Sequence, residues 1–337
     1  MSKIPEQSGA FRSTTIEEAV VATLAFFALF RHPLSLEELS ANLMKIHSST
    51  PSLREESERS EDEAWQYPSI TDMEKICQES DSIISNNGLY TLSGHEEDFE
   101  HRMRMAPTLR RRLARVRRYA PLLRHVPFVR GVFLCNNLSF GIATEKGDID
   151  LLIVTAPGHI FTARFLATAL FHLLGIRRHG SKTTDRFCLS FYVTEDNLDF
   201  STFKLDPQDI YLAYWTQNLI PCFPSRVTRE IGETNRKWVQ EELDMVELQD
   251  GKPPLSHRGP GLLQRLMEFA FRLPPLRAFE TRIATYQRKK LTASSSSLPD
   301  ASGTVISDTM LKFHDRDRRR EYQEIWNSTT RQGTSTR

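Results

Sequence analysis

Apolar positions three and four residues apart recur over the first part of the chain and predict a series of short helices. Residues 16–30 are almost continuously apolar and follow two threonines suited to cap a helix. Ser35 and Glu38 have the spacing of a capping box that begins a second helix. A third helix is predicted over residues 70–78. The charged stretch before it, residues 47–68, is predicted to be an exposed or disordered insertion.

A β-hairpin is predicted to follow these helices. Residues 86–88, Asn-Asn-Gly, supply the positive φ angles that a tight turn needs, and they separate apolar residues 83–84 from 89–92. Helices followed by a hairpin, over residues 14–95, are the order of a winged-helix module. Such a module binds nucleic acid in some proteins and serves packing or dimerisation in others. The third helix is not basic, which favours packing.

Residues 96–127 are predicted to form a helical connector that is interrupted at Pro107. An apolar stripe marks the face that packs on the rest of the protein. The other positions are rich in arginine: 102, 104, 110, 111, 112, 115, 117 and 118. Two interpretations stay open for helix 102–118, a solvated face or a phosphate-contacting surface for RNA or DNA. No aromatic residue interleaves the arginines, so base stacking is not expected there.

Two carboxylates enter an apolar strand near the middle of the chain. Gly147 precedes Asp148 and Asp150, and residues 151–154 are all apolar. Because side chains alternate along a strand, both carboxylates share one face and can converge on one hard cation. This geometry serves metal-assisted phosphoryl and nucleotidyl transfer. Acidic residues also occur at strand ends for solubility, so the interpretation depends on what surrounds Asp148 and Asp150.

The predicted order around this acidic pair is strand, loop, strand, helix, strand. The first strand covers residues 129–134 and is followed by a loop of small and polar residues, 135–143. A helix is predicted over 160–174 and the last strand over 187–193. The turn before that strand holds three cations, Arg177, Arg178 and Lys182. They are candidate phosphate ligands, or cations that match the dipole of the preceding helix C-terminus.

Several stretches, in this order, carry a family resemblance: residues 88–94 with Arg102, then 126–130, 147–154, 188–191 and 313–315. The chain resembles the nucleotidyltransferase superfamily that includes DNA polymerase beta. It is most similar to bacterial and archaeal nucleotidyltransferase-domain proteins with an N-terminal winged helix. The resemblance implies an α+β fold. A winged helix over 14–95 and the connector would precede a mixed-sheet nucleotidyltransferase core over 128–205 and a helical region over 206–325.

The resemblance implies a metal-dependent nucleotidyltransferase that moves NMP from an NTP to an acceptor. Asp148 and Asp150 would be the catalytic residues and would hold Mg²⁺. The implied nucleotide-binding residues are Asn136, Asn137, Ser139, Gly141, Arg177, Arg178 and Lys182. The alternative is a catalytically inactive member of the superfamily that acts as a nucleic-acid-binding or regulatory module.

Two departures from the superfamily pattern favour this alternative. Asn136 and Asn137 stand where a Gly-Ser pair normally grips the triphosphate. By strand alternation, Ser190 or Tyr192 stands where a third carboxylate is expected. The other nearby acids are interpreted as solvated loop residues: Asp185, Glu195 and Asp196. The retained pair of carboxylates favours the enzyme.

Composition sets the broad class and compartment. The chain has 337 residues, a net charge of +1 and 39% apolar residues, which is typical of a soluble globular protein. Its cysteines are far apart and have no C-x-x-C spacing, so they predict buried thiols and neither a disulfide framework nor a zinc site: Cys77, Cys135, Cys188 and Cys222. No signal peptide or membrane span is evident, and a cytoplasmic protein without a membrane partner is expected.

Overall fold

The computed structural model describes residues 16–44, 68–205, 207–243, 252–259, 261–271, 273, 278–295, 303–313 and 317–334. Helices and two sheets make it a mixed α+β structure, as the sequence predicts. The predicted insertion lies outside these ranges except for its last residue, and so do His314 and Asp315 of the last resembling stretch. Within the described ranges, no helix has the length and apolar character needed to cross a bilayer.

The N-terminal unit combines three helices with a small antiparallel sheet of order β1-β3-β2. Its elements are α1 (Ile16–Ala28), β1 (Leu34–Ser35), α2 (Leu36–Asn42), α3 (Ile70–Glu79), β2 (Ile83–Asn86) and β3 (Leu89–Leu92). The capping box of Ser35 and Glu38 is confirmed. The hairpin turn is confirmed as well, with φ of 52° at Asn87 and 76° at Gly88.

A 23-residue helix, α4 (Glu97–Tyr119), leads from this unit to the larger sheet. The predicted interruption at Pro107 is wrong, because the helix continues through it. Pro107 is exposed, and so is Met103, whose carbonyl loses its hydrogen-bond donor. Water can satisfy that carbonyl, which explains why the proline is tolerated.

The larger sheet has six strands in the order β7-β4-β5-β6-β9-β8. They are β4 (Val129–Leu134), β5 (Ile149–Thr155), β6 (Phe187–Thr194), β7 (Ile220–Pro221), β8 (Thr304–Ile306) and β9 (Met310–Phe313). β5 and β6 run parallel and are connected through helix α5 (Ile160–Leu173). The other neighbouring strands run antiparallel.

The region predicted to be helical, residues 206–325, also supplies three strands to this sheet. β7 lies at one edge, and the β8–β9 hairpin extends the other edge by pairing β9 with β6. Its helices are α6 (Ile210–Gln217), α7 (Arg226–Leu243), α8 (Leu262–Phe271), α9 (Phe279–Ser295) and α10 (Arg319–Thr334). The expected helical C-terminal region is therefore helical with three short strands that the sequence did not predict.

Apolar cores lie on both faces of the larger sheet. On one face, α1, α6 and α7 pack against it, and Phe26 stacks on Tyr214 with ring centroids 4.2 Å apart. Phe140, at the end of the loop after β4, inserts into this aromatic cluster 6.0 Å from Phe26. On the other face, α4 and α5 cover the sheet. The loop after β4 is thus anchored to the N-terminal unit.

A register shift in β6 alters which side chains share a face. Asp150 pairs with Cys188, but Leu152 pairs with Phe191, so β6 has one extra residue between these pairs. Phe187 packs in the core beside α5, whereas Phe191 packs in the opposite core. The regular alternation predicted for this strand is therefore wrong beyond the shift. Tyr192 lies in the core beside α5, and Cys188 stands next to Asp150.

Candidate active site

Three potential metal ligands meet where β5 and β6 begin. Asp148 lies in the turn before β5, Asp150 lies in β5, and Cys188 is its neighbour in β6. One carboxylate oxygen from each aspartate and the Cys188 Sγ all lie within 4.8 Å of one another. The structure therefore brings the predicted acidic pair together with Cys188, which was predicted only to be a buried thiol and is buried.

The turn that presents Asp148 is held by backbone hydrogen bonds on both sides. The amide of Asp185 donates to the carbonyl of Gly147 at 3.1 Å. The amide of Ile149 donates to the carbonyl of Arg186 at 2.8 Å. A Cβ at Gly147 would lie 2.6 Å from Thr144 Oγ1 and 2.9 Å from Arg112 Nη1. Only a residue without a side chain fits at Gly147 without displacing its neighbours.

Gly147→Ala is expected to lower the free energy of unfolding by roughly 1–3 kcal/mol, because Arg112 is buried and has little room to move. Urea unfolding followed by circular dichroism measures this change. Gly232→Ala is the matched control, since Gly232 is exposed inside α7 and a Cβ there meets nothing within 4 Å. That control is expected to stabilise the protein by about 1 kcal/mol. Equal effects of both substitutions would contradict the role given to Gly147.

Arginines of α4 fix the loop on the far side of this turn. Arg112 is only 1% exposed. It donates to Asp185 Oδ1 at 2.7 Å and to the Glu145 carbonyl at 3.2 Å. Arg111 donates to the same carboxylate at 3.0 Å, and Arg115 donates to the Asp185 carbonyl at 3.1 Å. Asp185 is therefore a structural anchor, and its interpretation as a solvated acid is wrong.

The same contacts reduce the number of arginines on helix 102–118 that are left to contact a phosphate backbone. Arg102 forms a 2.7 Å ion pair with Glu38, and three further arginines bind Asp185 or its carbonyl. Exposed positions that a phosphate backbone can reach include Arg104, Arg110, Arg117 and Arg118. Glu195 is not a simple solvated acid either, since it forms a 2.7 Å ion pair with Arg226.

The charge of the acidic pair is only partly balanced. Burial and the nearby Asp148 carboxylate raise the pKa of Asp150 to about 6, against the opposing effect of hydrogen bonds from Asn136 and Cys188. Burial, followed by the charge of Asp150, raises the pKa of the Cys188 thiol to about 12. Arg178 is the nearby cation, with Nη1 2.7 Å from Asp148 Oδ2 and 3.8 Å from Cys188 Sγ.

A cavity of about 1000 Å³ opens beside the three ligands. Its wall carries three arginines and a lysine: Arg164 from α5, Arg177 and Arg178 from the turn before β6, and Lys290 from α9. Two aromatic side chains also line it and remain accessible, with Phe165 40% and Tyr286 60% exposed. Carboxylates at one point of the wall and cations at several others suit a polyanion that is bound together with a metal ion.

The predicted phosphate loop contributes one residue to this cavity, Asn136. Asn136 adopts φ of 56°, and its Oδ1 accepts a 2.8 Å hydrogen bond from Trp215 Nε1. Ser139 is buried and donates to the Asn136 carbonyl at 2.8 Å, while the Asn137 carbonyl accepts from the amide of Ile142. Gly141, with φ of 81°, faces His32 on another side of the loop.

Asn137, Ser139 and Gly141 thus shape the loop and are not part of the cavity wall. Among the predicted cations, Arg177 and Arg178 line the cavity, whereas Lys182 lies in an exposed turn that is closed by backbone hydrogen bonds with His179. Arg164 from α5 and Lys290 from α9 also line the cavity, and neither was predicted from the sequence. No local signal marks these two residues, because only the packing of the helices brings them to the site.

The donor set fits Mg²⁺ only in part. Carboxylate oxygens of Asp148 and Asp150 are ligands that Mg²⁺ prefers, and an ion held by two carboxylates can complete its shell with phosphate and water. The sulfur of Cys188 is not such a ligand, because Mg²⁺ binds oxygen.

No known protein family, curated protein or solved structure matches the chain. The geometry of the site therefore carries the functional argument.

Proposed function

We propose that this protein is a metal-dependent nucleotidyltransferase that transfers NMP from an NTP to an acceptor. One observation carries the proposal. Asp148 and Asp150 converge at the edge of a large cavity whose wall holds several arginine and lysine side chains. An NTP with its divalent ion has the complementary charges, since the phosphates match the cations and the ion matches the carboxylates.

Each part of the site has a role in this proposal. Asp148 and Asp150 hold the ion, which neutralises phosphate charge and orients the reacting oxygens when bound. Arg177 and Arg178 bind the phosphates, and Asn136 contributes its amide. The exposed rings of Phe165 and Tyr286 offer surfaces on which a base can stack. Residues 14–95 would be the winged helix of such an enzyme and 128–205 its catalytic core, in a cytoplasmic protein.

Two features favour the alternative of an inactive, nucleic-acid-binding or regulatory protein. Arg178 already forms a 2.7 Å ion pair with Asp148, and Cys188 takes the position beside Asp150 where a third carboxylate would complete an all-oxygen site. In this alternative the cavity binds a nucleotide without turnover. The exposed arginines of α4 would then contact RNA or DNA.

Binding of the four NTPs without metal, with Mg²⁺ and with a transition metal ion such as Zn²⁺ tests the proposal. The wild type is expected to bind at least one NTP in a metal-dependent way, and the double variant Asp148→Ala/Asp150→Ala is expected to lose at least about 100-fold in affinity. Isothermal titration calorimetry measures both. Asp196→Ala, which removes an exposed acid beyond the other end of β6, is the control and should bind as the wild type does.

Two results would separate the enzyme from the alternative. Absence of metal-dependent NTP binding by the wild type would overturn the nucleotidyltransferase proposal. NTP binding without release of pyrophosphate, combined with salt-sensitive binding of RNA or DNA that Arg110→Ala/Arg117→Ala weakens, would support the binding protein.

A further inference from the structure

We propose that the ion site is a mixed oxygen–sulfur site that selects Zn²⁺ over Mg²⁺, with Asp148, Asp150 and Cys188 as its protein ligands. This inference rests on the ion-binding role that the proposed function gives to the two aspartates. It changes the identity of the ion and adds a ligand that the resemblance does not imply. It also reverses the expectation, drawn from cysteine spacing, that the chain has no zinc site.

The geometry of the three side chains suits one shared ion. Their donor atoms lie within 4.8 Å of one another. Around a tetrahedral zinc ion, ligand atoms at about 2.0–2.3 Å from the metal lie about 3.5 Å apart. The remaining difference is about 1 Å, which is within the reach of side-chain rotation.

Cys188 differs from the other cysteines in its surroundings. Cys188 lines the cavity, and its Sγ donates to Ser190 Oγ at 3.1 Å and accepts from Arg178 Nη1 at 3.8 Å. Cys77 and Cys222, by contrast, are buried within apolar cores. A thiol among polar groups, beside two carboxylates and open to a cavity, is placed to ligate a metal rather than to fill a core.

The chemistry of the donor set separates zinc from magnesium. Thiolate sulfur is a strong ligand for Zn²⁺, and three protein ligands with an open position are the arrangement of catalytic zinc sites. Binding releases one proton, because the Cys188 thiol must become a thiolate, and that proton goes to solvent. Two carboxylates, a thiolate and a dication leave one negative charge, which the guanidinium of Arg178 at 2.7 Å from Asp148 offsets.

The adjacency of strands explains why sequence spacing missed the site. Zinc sites recognised from sequence place ligands a few residues apart, as in C-x-x-C. Here Asp150 and Cys188 are 38 positions apart in the chain but are direct partners in the parallel pair β5–β6. The extra residue in β6 comes after Cys188, so the pairing at the site itself is regular.

Titration of the metal-stripped, full-length protein with Co²⁺, Zn²⁺ and Mg²⁺ tests this proposal without any nucleotide. Co²⁺ is the spectroscopic probe, because a cobalt ion bound by a thiolate absorbs in the near ultraviolet. We expect one Co²⁺ per chain with this charge-transfer band. Zn²⁺ should displace the Co²⁺, whereas millimolar Mg²⁺ should not.

Variants of the cysteines show whether the sulfur bound to the metal ion is that of Cys188. Cys188→Ser is expected to lose the band and to bind Zn²⁺ at least about 100-fold more weakly, while Cys77→Ser, a change at another buried cysteine, should keep both. Cys188→Asp, which makes the site all-oxygen, should bind Mg²⁺ about 10-fold more tightly than the wild type does. Circular dichroism of each metal-free variant confirms that it is folded.

Several outcomes would overturn the zinc site: no charge-transfer band in the wild type, a band that persists in Cys188→Ser, or displacement of Co²⁺ by millimolar Mg²⁺. Failure of the proposed function looks different. A protein with the thiolate–cobalt band that binds no NTP would keep the zinc site and lose the nucleotidyltransferase. A protein that binds NTP with Mg²⁺ but gives no band would keep the nucleotidyltransferase proposal and lose the zinc site.

Discussion

Asp150→Asn is expected to raise the free energy of unfolding of the metal-stripped protein by about 3 kcal/mol at pH 7.5 and to abolish ion binding. The pKa of Asp150 is about 6 in the folded protein, above the ordinary value near 3.8. Between these two pH values the folded state binds more protons than the unfolded state does. Stability therefore falls as the pH rises through this interval and stays low above it. Asparagine carries no charge, so it avoids this loss.

Urea unfolding in the presence of EDTA at several pH values measures the effect. The advantage of Asp150→Asn should be close to zero at pH 4 and complete above pH 7. Asp196→Asn, at an exposed position, should change stability by less than about 0.5 kcal/mol throughout. If Asp150→Asn destabilises the protein at pH 7.5, the carboxylate is not held in an unfavourable environment, and its role as an ion ligand loses support. A charge kept at a cost to stability is typical of functional sites.

Arg112→Ala is expected to lower the free energy of unfolding by about 3 kcal/mol or more. The substitution leaves a cavity where a large buried side chain was, removes a 2.7 Å bond to Asp185 and frees the Glu145 carbonyl. The turn that carries Asp148 should also loosen, because Arg112 packs against Gly147. We expect ion affinity to fall about 10-fold, as is common when a group that orients ligands is lost.

Arg110→Ala provides the matched control for this prediction. Arg110 lies on the same helix and is exposed, so its loss should change stability by less than about 0.5 kcal/mol. Chemical denaturation and Co²⁺ titration of both variants supply the measurements. Similar stability for the two variants would mean that the bond between α4 and Asp185 does not hold the site together.

Local sequence signals were enough to predict much of the fold. The capping box at Ser35 and the Asn87-Gly88 turn act through neighbouring residues, and both appear as expected. The strand predicted over 129–134 has those bounds in the structure, and α5 differs from its prediction by one residue. In each of these cases the information lies within a few positions of the chain.

Features that depend on distant residues could not be predicted. Arg112 and Asp185 are 73 positions apart, and their ion pair becomes visible only when α4 lies against the loop before β6. The β8–β9 hairpin is short, and it is stabilised by pairing with β6 rather than by its own sequence. The extra residue in β6 breaks the two-residue period on which the alternation argument was based.

The residues of the candidate site also divide into those that a local sequence pattern marks and those that only packing brings to the site. Asp148 and Asp150 were identified because two acids beside an apolar strand form a local pattern. Cys188, Arg164 and Lys290 were missed as parts of the site because each reaches it from another element. Ser139 and Gly141 were expected to bind phosphate, but loops of small residues serve backbone turns as readily as ligands, and here Ser139 lies in a short 3₁₀ helix that Gly141 caps.

The parallel pairing of β5 with β6 has a consequence for how this protein folds. Antiparallel neighbours joined by a tight turn can pair early, as β2 and β3 can, because the loop between them is short. β5 and β6 can pair only after the intervening chain, with α5, has closed over the sheet. We therefore expect Asp150 and Cys188 to become neighbours late in folding, so that partly folded chains that already contain hairpins and helices would lack the site.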